Sequence, residues 1–129
     1  MPTTDDDRTH EALGLAECLR LLGTAGIGRL AYTSAALPAI RPVSFSLLGE
    51  DVLVPAPSES PLVAAAVRAA VVALEADDYD PRTRTGWAVT VVGHSRVLEA
   101  SGTDAAPPGS CLVAVRIGQV EGWRTSALP

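Results

Sequence analysis

The spacing of apolar residues divides the chain into an early helix and a series of short strands. In residues 11–22, apolar side chains recur every three or four positions, which predicts an amphipathic helix that ends at Gly23. The pattern then changes to short β-prone runs at residues 27–33, 39–47 and 51–55, with turn residues between them. Because these runs follow one another without a helix, they predict a three-stranded meander.

The second half of the chain begins with a helix and continues as strands. Ser60 followed by Pro61 is a favourable start for a helix over residues 62–70. Beyond this helix the pattern predicts a strand at 71–76, a charged turn at 77–84, a long strand at 86–99, a loop at 101–110 and a last strand at 111–119 that ends near Trp123.

Six predicted strands and two or three short helices indicate a mainly β protein. A doubly wound sheet would need a helix between most strands, so the order of elements favours a small closed barrel. Pro42 lies within the second strand and cannot donate a hydrogen bond, which predicts an edge, a bulge or a ligand-facing segment. Residues 11–129 are expected to form one domain, preceded by a solvated, acidic arm at residues 1–10.

The composition indicates which kinds of molecule the protein is not expected to bind. Hydrophobic residues make up 47% of the chain and charged residues 19%, as in globular domains. The net charge is −5 and all ten basic residues are Arg, so we expect no nucleic-acid surface. The longest apolar stretch, residues 62–74, is interrupted by Arg68 and is too short to span a bilayer. We therefore expect no membrane partner.

The cysteines and the amino terminus indicate a cytoplasmic protein. Cys18 and Cys111 lie in apolar segments without a CxxC pair or a His at metal-ligand spacing, so both are expected to be buried free thiols. Residues 1–10 are polar and acidic, unlike a secretory signal.

Three segments resemble a known family. They are residues 41–45 (Arg-Pro-Val-Ser-Phe), residues 58–62 (Ser-Glu-Ser-Pro-Leu) and, most specifically, residues 77–91 (DDYDPRTRTGWAVTV). Over residues 11–123 the chain is similar to small actinobacterial proteins of the pyridoxamine 5'-phosphate oxidase-like family. The resemblance implies a six-stranded split β-barrel that forms a homodimer. It also implies that a flavin (FMN) or a deazaflavin binds in a groove between the subunits.

The same resemblance assigns cofactor-binding roles to particular residues. The second strand would run beside the flavin ring with Arg41, Pro42, Val43, Ser44 and Phe45. Arg41 is either a partner of the phosphate or ring edge, as its planar guanidinium allows, or a solvated arginine at the barrel rim. Trp87 either walls the cofactor groove or fills the core or the dimer interface.

The phosphate-binding motif departs from the family pattern. Relatives usually carry Gly-Ser-Lys or Gly-Thr-Lys where this chain has Glu59, Ser60 and Pro61. The cation is lost and a carboxylate is gained, although Ser58, Ser60 and free backbone N–H groups remain. Two functions follow from this pattern. The first is a flavin- or deazaflavin-dependent oxidoreductase that transfers hydride to a small organic acceptor. The second is a cofactor-free protein that uses the same groove to bind another small molecule.

Other candidate groups have structural explanations. His94 is the only histidine in the predicted body, and a surface strand position is favoured over a haem ligand. Arg82 and Arg84 lie among three aspartates, which favours an ion-paired turn over an anion or metal site. We identify no catalytic residue, but a flavin enzyme does not need one because the cofactor supplies the hydride chemistry.

Overall fold

The computed structural model describes residues 8–98 and 107–127 of the chain. In chain order the elements are β1 (Arg8–Ala12), α1 (Leu15–Thr24), β2 (Ile27–Ser34), β3 (Leu37–Ser44), β4 (Ser46–Leu48), β5 (Asp51–Pro57), α2 (Pro61–Val67), β6 (Val71–Asp80), β7 (Thr85–Leu98), β8 (Ser110–Arg116) and β9 (Gln119–Ala127). Residues 1–7 of the predicted arm and most of the predicted loop at 101–110 lie outside the described residues.

Two layers of antiparallel strands share one long strand. The first layer runs β3-β2-β6-β7-β9-β1 and the second runs β4-β5-β8-β7. β7 pairs with β9 as far as Val92 and with β8 from Ser95 onward. Gly93 lies at this change, where a Cβ atom would collide with the carbonyl oxygen of Arg116. Only glycine permits so close an approach of the two backbones.

The core fills the space between the two layers and the helices. Alternate residues of β6 and β7 point inward and are fully buried, among them Leu74 and Val91. Cys18 and Leu22 add the apolar side of α1 to the same cluster. β3 and β4 do not pair with each other, and the buried Phe45 connects them. The barrel is therefore split, as the resemblance implies, and not closed.

α2 begins as the sequence predicts. The hydroxyl oxygen of Ser60 accepts a hydrogen bond from the backbone N–H of Val63 at 3.3 Å. Pro61 occupies the first turn, where a missing N–H costs nothing. The helix ends at Val67, earlier than predicted, because Ala69 has a φ of 56° and turns the chain out of the helix.

The predicted meander was wrong. The run at residues 39–47 is divided at Phe45 into β3 and β4, which pair with β2 and β5 respectively. Burial of the Phe45 ring bends the chain, so the two halves enter different layers. The predicted charged turn at 77–84 was also too long, because β6 continues to Asp80 with its carboxylates at the solvated end of the sheet.

The start and the end of the chain contain strands that were not predicted. Arg8–Ala12 pairs with β9 as β1, so α1 begins at Leu15 and residues 8–10 do not belong to a solvated arm. The last strand was expected to end near Trp123, whereas β8 ends at Arg116 and a separate strand, β9, runs from Gln119 to Ala127. β1 pairs with β9, and β9 pairs also with β7, so contacts with segments distant along the chain fix both strands, and apolar periodicity does not detect them.

The structure places Pro42 and one of the two cysteines where the sequence predicts. Pro42 lies on an edge strand as predicted, since β3 pairs only with β2 among the described residues. Cys18 is buried as predicted, but Cys111 is only half-buried, and its thiol donates a hydrogen bond to the hydroxyl of Ser58 at 3.3 Å.

Within the described residues, no helix has the length and apolarity needed to cross a membrane.

Candidate functional site

A groove of about 360 Å³ lies where the edge strand β3 faces the end of β5 and the start of α2. Its walls are Tyr32, Arg41, Pro42, Val43, Ser44, Pro55, Ala56, Pro57, Ser60, Pro61 and Leu62. Five residues that the sequence assigns to cofactor binding are thus brought together, namely four consecutive residues of β3 and Ser60. The volume is at the small end for ligand pockets and accommodates a ring system better than a complete dinucleotide.

Arg41 is the cation of this groove. It lies on β3 opposite Leu30 and is exposed. It forms no ion pair with any described residue, whereas Arg29 and Arg96 are held by carboxylate oxygens at 3.1 and 2.8 Å. The guanidinium of Arg41 therefore keeps its donors available for a ligand.

The rest of β3 contributes backbone and shape. Because β3 is an edge strand, the N–H and C=O groups on its free side are not used by another described strand. Phe45, the last residue of the predicted segment, does not line the groove. Its ring is buried in the core and its N–H donates a hydrogen bond to the carbonyl oxygen of Gly26 at 3.2 Å.

The α2 side of the groove offers little to an anion. The hydroxyl of Ser60 already caps the helix, and Pro61 has no N–H. Glu59 is exposed beside them. Ser58 does not line the groove, since its N–H donates to the carbonyl oxygen of Gly109 at 3.0 Å and its hydroxyl accepts the hydrogen bond from Cys111.

Trp87 lies away from this groove, in a second recess of about 340 Å³. Strand pairing places it directly between Asp78 on β6 and Arg124 on β9. Arg124 donates to a carboxylate oxygen of Glu17 on α1 at 2.9 Å. The side chain of Trp87 is half-buried against the core. Within one chain, Trp87 and Arg41 therefore do not share a cavity.

Glu75, Asp51 and Cys18 are among the groups outside the groove whose pKa values are shifted. Burial, assisted by the neighbouring Asp77, raises the pKa of Glu75 to about 6, although Arg29 opposes this shift. The hydrogen bond from Arg96 holds the pKa of Asp51 below its usual range. Burial raises the pKa of the Cys18 thiol, so this thiol is not an activated nucleophile.

The remaining candidate groups occupy structural positions. His94 is exposed on β7, with Nδ1 at 3.2 Å from the carbonyl oxygen of Ala69. Arg82 lies 3.5 Å from a carboxylate oxygen of Asp80, within the ion-paired turn that the sequence favours. In the part of the chain that the structure describes, no three His, Cys, Asp or Glu side chains converge as a metal site would require.

Sequence reasoning missed part of the groove. Tyr32, Pro55 and Pro57 also line it, yet they were assigned only to strands and a loop. The two prolines at alternate positions give a weak signal, because both residues project from the same side of β5. The sequence does not mark Tyr32 as a groove residue, because an aromatic residue is common at an inward-facing position of a strand.

The fold and the groove define a class, the small split-barrel proteins with a ligand groove at an edge strand. Residues 15–117 match the family model described as pyridoxamine 5'-phosphate oxidase, and the chain belongs to this family. The chain is also 46% identical, over 82 residues, to the uncharacterized protein Rv0080 of Mycobacterium tuberculosis. That match covers 60% of this chain and only 53% of the mycobacterial protein.

Solved structures support the same assignment. The FAD binding protein from Mycobacterium smegmatis is 30% identical, with a TM-score of 0.74 over 90% of this chain and 98% of that one. A FAD-binding protein from Mesorhizobium loti has a TM-score of 0.77 over 92% of this chain and 98% of that one. Its identity of 17% makes it a comparison of fold alone.

Proposed function

We propose that the groove binds the ring of a flavin or a deazaflavin, and that the protein is an oxidoreductase that transfers hydride to a small organic acceptor. The observation that carries this proposal is the unpaired Arg41 on an edge strand that forms one wall of an apolar groove. The family membership and the relatives named for FAD binding support it. When bound, the ring would supply the hydride chemistry.

The residues of the groove fit a flat, polar-edged ring. Tyr32, Pro55 and Leu62 supply apolar surface, which suits an aromatic system. The free side of β3 supplies backbone donors and acceptors for the polar edge of the ring, and Arg41 is placed to hold a carbonyl oxygen or a partial negative charge there. The chain would therefore bind and orient the ring and exclude water from one of its faces.

The residues do not fit a phosphate at the start of α2. Ser60 is occupied as the helix cap, Pro61 replaces a cation, and the carboxylate of Glu59 would repel a dianion. We propose that the ring, and not the phosphate, provides most of the binding energy. FMN, FAD and a deazaflavin therefore remain alternatives that only a titration separates.

The second candidate function is cofactor-free binding of another small molecule. The observation that favours it is the same Glu59 and Pro61 departure, since it removes the anchor on which flavin relatives depend. A homodimer and a cytoplasmic location are part of our proposal under either function.

The test is a fluorescence titration of the purified protein with FMN, FAD and a deazaflavin. We expect saturable quenching, and we expect Arg41→Gln to weaken the affinity about tenfold, since a hydrogen bond to a charged group contributes about 1.5–3 kcal/mol. Arg68→Gln is the matched control, because Arg68 is exposed, does not line the groove and has no ion pair among the described residues. Absence of binding to all three compounds would favour the cofactor-free function.

A further inference from the structure

The hydroxyl of Tyr32 is a polar group in the wall of the groove that the fold itself does not use. Tyr32 is only 6% exposed, and its ring belongs to the core cluster. A buried tyrosine hydroxyl usually has a hydrogen-bond partner. This hydroxyl has none among the described residues, whereas every fully enclosed side-chain nitrogen or oxygen of those residues has one. The hydroxyl is therefore not fully enclosed, and it opens on the groove that Tyr32 lines.

The register of β2 and β3 places Tyr32 and Arg41 on the same side of the sheet. Tyr32 pairs with Ala39, while Arg41, two residues further along β3, pairs with the buried Leu30. Residues that pair across two strands project from the same side, and diagonal neighbours are about 7–8 Å apart, within reach of aromatic and long side chains. The phenol and the guanidinium, which both line the groove, can therefore contact the same group of a ligand.

The groove is positively charged although the protein is acidic. The net charge of the chain is −5, yet Arg41 is the only charged residue among the described residues that line the groove. Its guanidinium forms no ion pair with a described residue and offers several N–H donors. The hydroxyl of Tyr32 adds one more donor. This combination of donors, without a carboxylate beside them, fits a ligand oxygen that carries a negative charge.

The recess at Trp87 has the opposite electrostatic character. It is lined by the carboxylates of Asp78 and Asp80, and its arginine, Arg124, is already held by Glu17 at 2.9 Å. An anionic ligand would be repelled by the two carboxylates there and attracted by Arg41 in the groove. Of these two cavities, the groove is therefore the one suited to an anion.

The remaining walls of the groove determine the body of the ligand. Many of them are rigid and apolar, and several are prolines that lack an N–H donor. These residues are Pro42, Val43, Pro55, Ala56, Pro57, Pro61 and Leu62. Together with the volume of about 360 Å³, such walls suit a small, flat, apolar body.

We propose that the groove of the flavin-free chain binds a small aromatic monocarboxylate, whose carboxylate accepts hydrogen bonds from the hydroxyl of Tyr32 and the guanidinium of Arg41. This inference goes beyond the proposed function, because the ligand is neither a flavin nor a deazaflavin. Since both kinds of ligand use the same groove, the carboxylate competes with the flavin ring. The charge of the ligand is the property that the two donors recognise, because hydrogen bonds to an ionised acceptor are the stronger ones.

Calorimetric titration of the flavin-free chain with benzoate and with benzamide tests this proposal. Benzamide has nearly the shape of benzoate but carries no charge, so it is the matched control ligand. We expect saturable binding of benzoate, at least tenfold tighter than that of benzamide. Equal affinities for the two compounds, or no saturable binding of benzoate at millimolar concentration, would overturn the proposal. This comparison requires no variant of the protein.

A conservative variant tests the role of the hydroxyl. Tyr32→Phe keeps the ring in the core and should weaken benzoate binding about tenfold, while benzamide binding should change by less than about threefold. Tyr79→Phe is the control, since Tyr79 is the other tyrosine of the chain and does not line the groove. Its affinity for benzoate should equal that of the wild-type chain. An unchanged affinity for benzoate in Tyr32→Phe would overturn the role of the hydroxyl.

Competition with FMN distinguishes this inference from the proposed function. Benzoate should raise the apparent dissociation constant of FMN, as one shared groove requires. Binding of benzoate without any binding of FMN would support this inference and reject the flavin alone. Binding of FMN that saturating benzoate leaves unchanged would overturn the assignment of the carboxylate to this groove.

Discussion

The two walls of the groove are built differently. On the β3 side, Arg41 is unpaired and the backbone has a free edge, so the polar groups are available to a ligand. On the α2 side, the hydroxyl of Ser60 is used as a helix cap, Pro61 has no N–H, and Glu59 adds a negative charge. The β3 wall is suited to the polar edge of a ring, while the α2 wall is internally satisfied and repels anions. Under the proposed function, the ligand would be held by the β3 wall and not by the α2 wall.

The largest expected effect comes from placing a cation at the α2 wall and removing its carboxylate. The double variant Glu59→Gln, Pro61→Lys removes the repelling carboxylate and adds a cation, so the affinity for FMN should rise at least tenfold relative to riboflavin, which has no phosphate. Parallel fluorescence titrations of the two compounds measure this ratio. An equal gain for both compounds would show that the substitutions act on the ring site and not on the α2 wall.

A smaller effect is expected when the hydroxyl of Ser60 that caps α2 is removed. Ser60→Ala should lower the free energy of unfolding by about 1 kcal/mol, because Val63 loses its hydrogen-bond acceptor. Flavin affinity should stay within about twofold, since this hydroxyl serves the helix and not the ligand. Urea unfolding and a flavin titration of the same variant measure the two quantities. A large loss of affinity with unchanged stability would mean that Ser60 is a ligand-binding residue.

The smallest effect concerns Glu75, a partly buried carboxyl group on β6 that does not line the groove. Because the pKa of Glu75 is about 6 in the folded chain, above its ordinary value, the folded state binds this proton more tightly than the unfolded state. Stability contributed by Glu75 should therefore rise as the pH falls from 8 to 5.5, and Glu75→Gln should remove this rise. Thermal unfolding at the two pH values and one fixed protein concentration measures it.

Glu75 does not line the groove, so flavin affinity should not follow the same titration. At lower pH the dependence of stability on pH has the opposite sign, so stability falls as the pH falls. Asp51, whose pKa is held down by Arg96, loses its stabilising charge when the pH falls through its folded value. An affinity that changed with Glu75 would show that the two regions are coupled.

The sequence predicts those features that depend on local chemistry. Ser60 and Pro61 mark the start of α2 because capping and a fixed φ act within one turn, and Pro42 marks an edge because a missing N–H excludes it from the middle of a sheet. The segment from Arg41 to Ser44 lines one groove with Ser60, a relation between distant segments that family resemblance implies and periodicity alone cannot give; cofactor binding by these residues stays a prediction.

The features that the sequence does not predict depend on pairing between strands that are far apart along the chain. β1 is a polar strand that exists because it pairs with β9, more than a hundred residues away along the chain, and no local pattern reports this. The separation of Trp87 from the groove follows from the register of β6, β7 and β9, which places the indole between Asp78 and Arg124. Its predicted contact with the cofactor remains a prediction for the assembled protein.

We propose that the groove holds the flavin ring through the β3 wall with little help from a phosphate, and this claim can be tested directly. The most direct measurement is the ratio of the dissociation constants of riboflavin and FMN for the wild-type protein, obtained by fluorescence titration at one ionic strength. We predict saturable binding of both compounds, with riboflavin bound within about threefold of FMN or more tightly, since the α2 wall offers a phosphate no free cation. FMN bound at least tenfold more tightly than riboflavin, or no binding of either compound, would contradict the claim.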